Sequence, residues 1–436
     1  MSRERASLPA QAAKWRDLPV FELFRRNRRS FLRNVLGPSA VGAAVSGRLS
    51  AATSKKKKAR SPVARDVLGE LGVRTFINAA GTYTRLTASR MPPEVLSAMQ
   101  SASTRYVDLQ ELHEKAGERI AEMLECEAAL VTAGCASALT LGTAACVAGA
   151  SEENIRRLPD TTGMKDEVVV QKAHRNAYDH AVRNCGVRLV EVESARDLEA
   201  AISERTAMLF FLNNKQGAGQ VGHEEFVRIG KRHSVPTMND AAADLPPVEN
   251  LFRFTKMGYD LVAFSGGKGL LGPQSAGLLL GRKDLIEAAR LNNSPHSDSV
   301  GRTNKVNKEE VVGMLVALTL FLERDHDQYW KEWGRRCRRI AGVVDGLRSV
   351  ETEVFVPEVA NAVPHLRIRW DYERAGLDPK GAAERLREGE PSIEVRPGSD
   401  DGLVIGVWMM AAGEERIVGR RLRAVLTEAL DSAARA

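Results

Sequence analysis

Aromatic residues make up only 5 % of this 436-residue chain. Grooves that bind single-stranded nucleic acid are built from aromatic platforms interleaved with basic side chains, so the scarcity counts against that class of partner. The formal charge of +7 does not reverse this, because much of the excess lies near the front, in the arginines from Arg25 to Arg33 and in the run Lys55-Lys56-Lys57-Lys58. No nucleic-acid partner is expected. Cysteine is also sparse: Cys126, Cys135, Cys146, Cys185 and Cys337 are odd in number and show no CxxC spacing. That pattern excludes a structural zinc site and a full disulfide framework, and it leaves small buried thiols as the plain reading, with no metal expected. No run reaches the roughly eighteen apolar residues that an ordinary membrane span needs.

What is present fits a globular protein of about two domains, since 43 % of residues are hydrophobic and the length allows a sizeable core. The front reads as an address. Asn27-Arg28-Arg29-Ser30-Phe31-Leu32-Arg33 precedes a mildly apolar, small-residue stretch from Val35 to Val45, with cleavage points near Ser46 or Ala52. The segment is similar to a twin-arginine export signal, which implies a periplasmic or exported protein; a disordered basic tail on a cytoplasmic protein is the alternative. Residues 1–60 are therefore set apart from the fold.

From about Arg65 the chain alternates helical and short apolar segments. Leu112, Ala116, Ile120 and Met123 recur at helical spacing over Glu111 to Leu124, opposite Glu114, Lys115, Glu118 and Glu122. Short apolar runs follow at Ala128 to Thr132, Glu167 to Val170, Val187 to Val190, Ala207 to Phe211, Val235 to Asp240, Leu261 to Phe264 and Gly277 to Leu280. Continuous apolar runs separated by helices predict a mostly parallel sheet covered on both faces, an α/β three-layer sandwich. Its large domain is expected over 61–320, with an N-terminal arm at 61–95. One long helical region from Lys308 to about Leu347 then leads into a small C-terminal α/β domain over 321–436, with strands at His365 to Trp370, Ser392 to Arg396 and Leu403 to Met409 and helices at Gly381 to Arg387 and Glu414 to Leu430.

Chemistry concentrates in Phe264-Ser265-Gly266-Gly267-Lys268-Gly269-Leu270-Leu271-Gly272-Pro273-Gln274. A lysine after a buried strand, wrapped in glycines, sits where backbone can approach a ligand at the carboxyl end of a sheet. Desolvation lowers a lysine's pKa, and a neutral amine attacks an aldehyde. A nucleotide-type lysine would need GxxxxGK followed by Ser or Thr, which this stretch lacks. Alone, the motif is as compatible with a lysine in a glycine turn. Two further features bear on it. Val131-Thr132-Ala133-Gly134-Cys135-Ala136-Ser137 reads as strand, glycine turn and helix start, whose free N–H groups suit a phosphate or, more plainly, tight packing. Pro236-Thr237-Met238-Asn239-Asp240 ends a buried strand in a carboxylate that either faces a cation or donor or caps the next helix.

The order of phosphate turn, strand-end aspartate and later lysine resembles fold-type-I pyridoxal-phosphate (PLP) enzymes. More narrowly, the chain resembles the selenocysteine synthase-like group, which holds bacterial L-seryl-tRNA selenium transferase and the D-glucosaminate-6-phosphate ammonia-lyase-like proteins. The resemblance is carried by Ile77-Asn78-Ala79-Ala80-Gly81-Thr82-Tyr83-Thr84-Arg85-Leu86, Asp108-Leu109-Gln110-Glu111-Leu112-His113 with Gly117-Glu118-Arg119-Ile120, Gln171-Lys172-Ala173-His174-Arg175-Asn176-Ala177-Tyr178, Asp240-Ala241-Ala242-Ala243-Asp244-Leu245-Pro246-Pro247, and Ser265-Gly266-Gly267-Lys268-Gly269 with Gly272-Pro273-Gln274.

That resemblance implies pyridoxal 5'-phosphate as cofactor, Lys268 as its Schiff-base lysine, Asp240 against the ring nitrogen and His174 over the ring face, where a core or capping histidine is the alternative. It further implies phosphate contacts from the backbone of Gly134, Cys135 and Ala136 and from Ser265. Arg302 matches an arginine that can hold a substrate carboxylate, with a surface arginine as the alternative, and Tyr83, Arg85 and Tyr106 are weaker candidates for lining the site. Met238-Asn239, Thr303-Asn304 and Asn307 depart from the common form, so the pocket need not take the same amino-sugar acid. The expected activity is a lyase acting on an amino acid or amino-sugar acid by α-proton abstraction and β-elimination. Racemisation and selenium transfer to seryl-tRNA stand as alternatives, the latter weakened because a signal-like leader occupies the place of a tRNA-binding part. A homodimer or higher even oligomer is expected by the same resemblance.

Overall fold

Short β-branched and aliphatic runs become strands, and their order in space decides what they carry. A computed structural model of the chain describes residues 65–397 and 402–435; the twin-arginine-like segment around Arg28 and Arg29 lies outside the described residues. In chain order the strands are β1 (Ile77–Ala79), β2 (Ala128–Thr132), β3 (Glu167–Gln171), β4 (Arg188–Val192), β5 (Thr206–Leu212), β6 (Thr237–Asp240), β7 (Leu261–Ser265), β8 (Gly277–Gly281), β9 (Val350–Phe355), β10 (His365–Trp370), β11 (Ile393–Pro397) and β12 (Leu403–Gly406).

Strands β2 to β8 form a seven-stranded sheet in the order β2-β8-β7-β6-β5-β3-β4. All neighbours run parallel except β8, which is antiparallel to both β2 and β7. Because β8 is flanked by two strands of opposite sense to it, β2 still points the same way as β7. Every residue of β5, β6 and β8 is buried, as expected of strands covered on both faces by helices. Strand β4, at the sheet's edge, is the most exposed of the seven, with Arg188 and Glu191 exposed.

Helices cover the sheet for reasons visible in their sequences. Leu109–Leu124 starts at Asp108, whose side chain accepts the Glu111 N–H, and turns Ala116, Ile120, Met123 and Leu124 inward. Gly134–Ala148 is apolar on nearly every face and lies buried against the sheet. The region expected as one long helix is two, Lys308–Glu323 and His326–Val344, because Arg324 leaves helical geometry and Asp325 caps a new start by accepting the Gln328 N–H. The first packs against Pro93–Ser103 and Leu109–Leu124. The second joins a separate core with Trp370, Leu386, Ile405 and Leu422.

That second core belongs to a five-stranded sheet in the order β1-β11-β12-β10-β9. Strand β1 pairs in parallel with β11, Ile77 opposite Ile393 and Ala79 opposite Val395. Ile77 and Ala79 are therefore part of the C-terminal core, although their segment reads from sequence as an arm of the large domain. Among the described residues no helix is long and apolar enough to cross a membrane, and all five cysteines are free.

Candidate active site at the carboxyl edge of the large sheet

Parallel strands put their carboxyl ends, and the loops that follow, along one edge. Here that edge gathers Gly134 after β2, His174 after β3, Asn213 after β5, Asp240 at the end of β6 and Ser265 and Lys268 at and after β7. Register fixes their spacing: Gly277 stands opposite both Thr132 and Ser265, so the glycine turn after β2 and the serine of β7 are separated by one strand.

The turn itself is a cradle. Ala133 caps the helix Gly134–Ala148 without a side-chain hydrogen bond, and Gly134 has φ +79°, so the first N–H groups of a fifteen-residue helix point outward with the dipole's positive end. Gly277 lets that turn pack directly against β8, since a Cβ there would fall 2.5 Å from the Gly134 carbonyl carbon and 2.7 Å from Cys135 N. Ser137, one residue beyond the expected contacts, is buried with its hydroxyl unpartnered. No spacing in the sequence singles it out.

Asp240 is buried, and burial pushes its carboxyl above the usual range while Ala242 N–H, the Lys268 charge and the Cys135 thiol hold it down. Its Oδ1 accepts the Ala242 N–H at 3.0 Å and the Cys135 S–H at 3.7 Å, leaving Oδ2 for a ligand donor. Burial, reinforced by Asp240, in turn pushes the Cys135 thiol well up, so it serves as a neutral donor. The charge of Lys268 acts on Asp240, on Cys135 and on a second buried carboxylate, Asp244. Lysine, aspartate and phosphate turn are thus one cluster.

His174 is brought to the same edge one strand away, for its Nδ1 accepts the N–H of Leu212, the residue paired with Asp240. Its setting is that of a core histidine: it is 0 % exposed, edge-on to Phe211 at 4.5 Å, and burial pushes its pKa down to about 4. The imidazole is thus buried and neutral at the edge of the site.

Tyr83 and Arg85 line a cavity of about 580 Å³ together with Tyr178 and Arg396. Its wall is tied to the lysine loop, because Gln274 donates to Thr84 O at 3.0 Å and Ser89 to Gly267 O at 2.6 Å. Arg85 is only loosely paired, 3.9 Å from the buried Glu394. Arg396 went unread in the sequence, since nothing local marks an arginine on a C-terminal strand as facing a loop 310 residues earlier. Tyr106 and Arg302 are exposed and do not line this cavity.

A PLP cofactor needs an amine for its aldehyde, a carboxylate for its ring nitrogen and backbone donors for its phosphate. Lys268, Asp240 Oδ2 and the Gly134–Ala136 turn with Ser265 meet that requirement. Comparison with known proteins agrees. The family model described as SelA, L-seryl-tRNA selenium transferase, matches residues 76–330. D-Glucosaminate-6-phosphate ammonia lyase of Salmonella typhimurium is 28 % identical over 382 residues, 84 % of this chain and 99 % of that protein. A 5'-C-glycyluridine monooxygenase-decarboxylase of Streptomyces is 30 % identical over 377 residues, 82 % and 91 % of the two chains. A solved structure of D-glucosaminate-6-phosphate ammonia-lyase superposes with TM-score 0.73 at 26 % identity, covering 84 % of this chain and 99 % of that one. Serine palmitoyltransferase, at 14 % identity and TM-score 0.52, shares the fold. The chain belongs to the L-seryl-tRNA selenium transferase family, on the fold of the fold-type-I PLP enzymes.

Proposed function

We propose that the protein is a PLP-dependent lyase that releases ammonia from an amino acid or amino-sugar acid by α-proton abstraction and β-elimination. The observation that carries this is the single cluster of Lys268, the ligand-facing Oδ2 of Asp240 and the free helix start at Gly134. The bound cofactor supplies an electron sink for charge that develops at the substrate's α-carbon. Asp240 holds a proton on the ring side of that sink, with Cys135 and Ala242 fixing its other oxygen. Lys268 Nζ would anchor the cofactor, and as a free amine it would take the α-proton. The Gly134–Ala136 N–H groups and Ser265 hold the phosphate, and His174 flanks the site as an uncharged neighbour. Arg85 and Arg396 give a substrate carboxylate or phosphate a cationic wall.

A homodimer fits the exposed apolar side chains of the N-terminal stretch, Val67, Leu68, Leu71 and Val73, and the fully exposed Tyr106; light scattering of the purified protein tests it. Export is read from Arg28 and Arg29 with the apolar stretch that follows them, and cell fractionation with both arginines changed to lysine tests it. Selenium transfer to seryl-tRNA is the second reading, favoured by the family-model match. The deciding experiment records the absorbance of the holoprotein and screens D- and L-amino acids and phosphorylated amino-sugar acids for keto acid and ammonia. Turnover that vanishes together with the yellow colour in Lys268→Ala supports the lyase. No turnover with any such acid, together with salt-sensitive tRNA binding, overturns it.

A further inference from the structure

A buried hydrogen-bond donor beside the Tyr83–Arg85 cavity has nothing to donate to. Trp408 follows β12 and is 7 % exposed, its ring edge-on to Trp333 at 6.4 Å in the C-terminal core. Its Nε1–H is sealed from solvent without an acceptor. Trp370, in the same core, donates its indole N–H to Leu377 O at 2.8 Å, so this core can satisfy a buried indole. Leaving one unsatisfied costs free energy that folding alone does not return, which marks Trp408 as a group with another use.

The orphan lies behind the cavity wall. A Cβ at Gly406 would lie 3.2 Å from Ala80 O and 3.6 Å from Trp408 Cδ1, and one at Gly81 would lie 3.7 Å from Trp408 Nε1 and 3.8 Å from Tyr83 Cε2. The pyrrole edge of the indole therefore runs along Ala80 and Gly81, and Ala80 and Tyr83 both line the cavity. Asn78 fixes this turn: its Oδ1 accepts the N–H groups of Ala80 and Gly81 at 3.1 and 3.0 Å, and its Nδ2 donates to Gly81 O at 3.0 Å. Gly81, with φ +122°, has no side chain to cap the indole. The movable cover is Tyr83, which is 42 % exposed and whose hydroxyl has no hydrogen bond among the described residues.

Charge says what the indole awaits. Glu394 takes Arg387 on both oxygens, at 2.8 and 3.3 Å, and reaches Arg85 only at 3.9 Å. Arg396, exposed on the same strand β11, has no carboxylate partner among the described residues. Two guanidinium groups thus line the cavity while the neighbouring carboxylate is committed elsewhere. An indole N–H can only donate, so it adds to them a third donor for an anionic oxygen.

We infer that Trp408 Nε1–H is a specificity-determining donor for the anionic group of the substrate, a carboxylate or a phosphate, and that the Tyr83 ring covers it until that group displaces the ring. The indole stays neutral throughout, and no bond breaks. The inference deepens the lyase reading and rests on it for the identity of the substrate, but the donor can be read without turnover.

The experiment follows the indole N–H signals by NMR in holoprotein carrying isotope-labelled tryptophan, where the cofactor already occupies the phosphate cradle. Sodium acetate and inorganic phosphate are added in separate titrations. Trp408 is the signal missing from Trp408→Phe; if that variant folds poorly, Tyr83→Ala identifies the same signal by its faster exchange with solvent. The Trp408 proton is expected to move downfield and saturate, acetate marking a carboxylate subsite and phosphate a phosphate subsite, while Trp370 stays in place. Arg85→Ala should weaken the saturating anion about tenfold, and Tyr83→Ala should tighten it severalfold by removing the cover. For any amino acid turned over, Trp408→Phe should raise KM about tenfold and lower kcat far less. A Trp408 signal indifferent to both anions in wild type and in Tyr83→Ala overturns the inference. So does an anion response unchanged by Arg85→Ala, or a Trp408→Phe protein whose melting temperature falls while its KM holds. Failure of the lyase reading looks different: wild type would release no keto acid or ammonia from any acid screened, whatever the indole signal does.

Discussion

Gly277→Ala is the sharpest perturbation of the phosphate cradle. The new Cβ would lie 2.5 Å from the Gly134 carbonyl carbon and 2.7 Å from Cys135 N, when real Cβ atoms essentially never approach within 3.0 Å. Both obstacles are backbone atoms, so no side chain can rotate aside; the helix start must retreat by about 0.5–1 Å to regain ordinary contact. Overpacking of this kind costs about 1–3 kcal/mol of stability. Hydrogen bonds from the helix start to a charged phosphate are worth about 1.5–3 kcal/mol each, and losing one weakens cofactor binding roughly ten- to a hundredfold. The assay is a fluorescence titration of apoprotein with pyridoxal phosphate and, separately, with pyridoxal. Wild type is expected to prefer the phosphorylated form strongly, and the variant to lose most of that preference while binding pyridoxal nearly as before. Equal losses for both ligands, or no loss for either, refute the cradle. Gly342→Ala is the control, because that helical glycine meets nothing within 4 Å.

In that control the alanine should raise stability by about 0.5–1 kcal/mol through helix propensity, read as a higher urea midpoint. Asp240→Asn should retain the Schiff base on Lys268 while lowering kcat by orders of magnitude, and a variant with wild-type kcat would remove the carboxylate from the mechanism. His113 is buried with both ring nitrogens unpartnered, and burial followed by the Arg290 charge pushes its pKa down to about 4. Because its folded pKa lies below the ordinary value, its contribution is present above about pH 6.5 and is lost as pH falls toward 4. His113→Leu should therefore lose up to about 3 kcal/mol less stability than wild type between pH 7.5 and pH 4; parallel stability curves would show the imidazole is not buried neutral.

The large sheet was legible because most of its strands centre on a short apolar run, as burial on both faces requires, with the edge strand β4 the exposed exception. The small sheet was half legible. Strand β9, Val350-Glu351-Thr352-Glu353-Val354-Phe355, is half exposed and charged at alternate positions, so it lacks the apolar run that marks the others. Strand β1 is three residues long and owes its existence to β11, more than 300 residues away; no window of sequence contains that partner. In the site, Lys268 and Asp240 announce themselves by glycine wrapping and by a charge at the end of a buried strand. Asp244 stood in plain view within Asp240-Ala241-Ala242-Ala243-Asp244, but its isolation from water comes from Ala360 and Asn361, brought in from the other sheet. The same limit applied to His174, whose enclosure by Phe211 and Leu212 is tertiary.

Pairing β1 with β11 also sets a sequence of events in synthesis. A ribosome must release nearly the whole polypeptide before Ile77 can meet Ile393, so the C-terminal core cannot close around a partial product. Nascent chains interrupted before Ile393 leave Ile77 and Ala79 unburied, so loss of either β1 or β11 damages the same core.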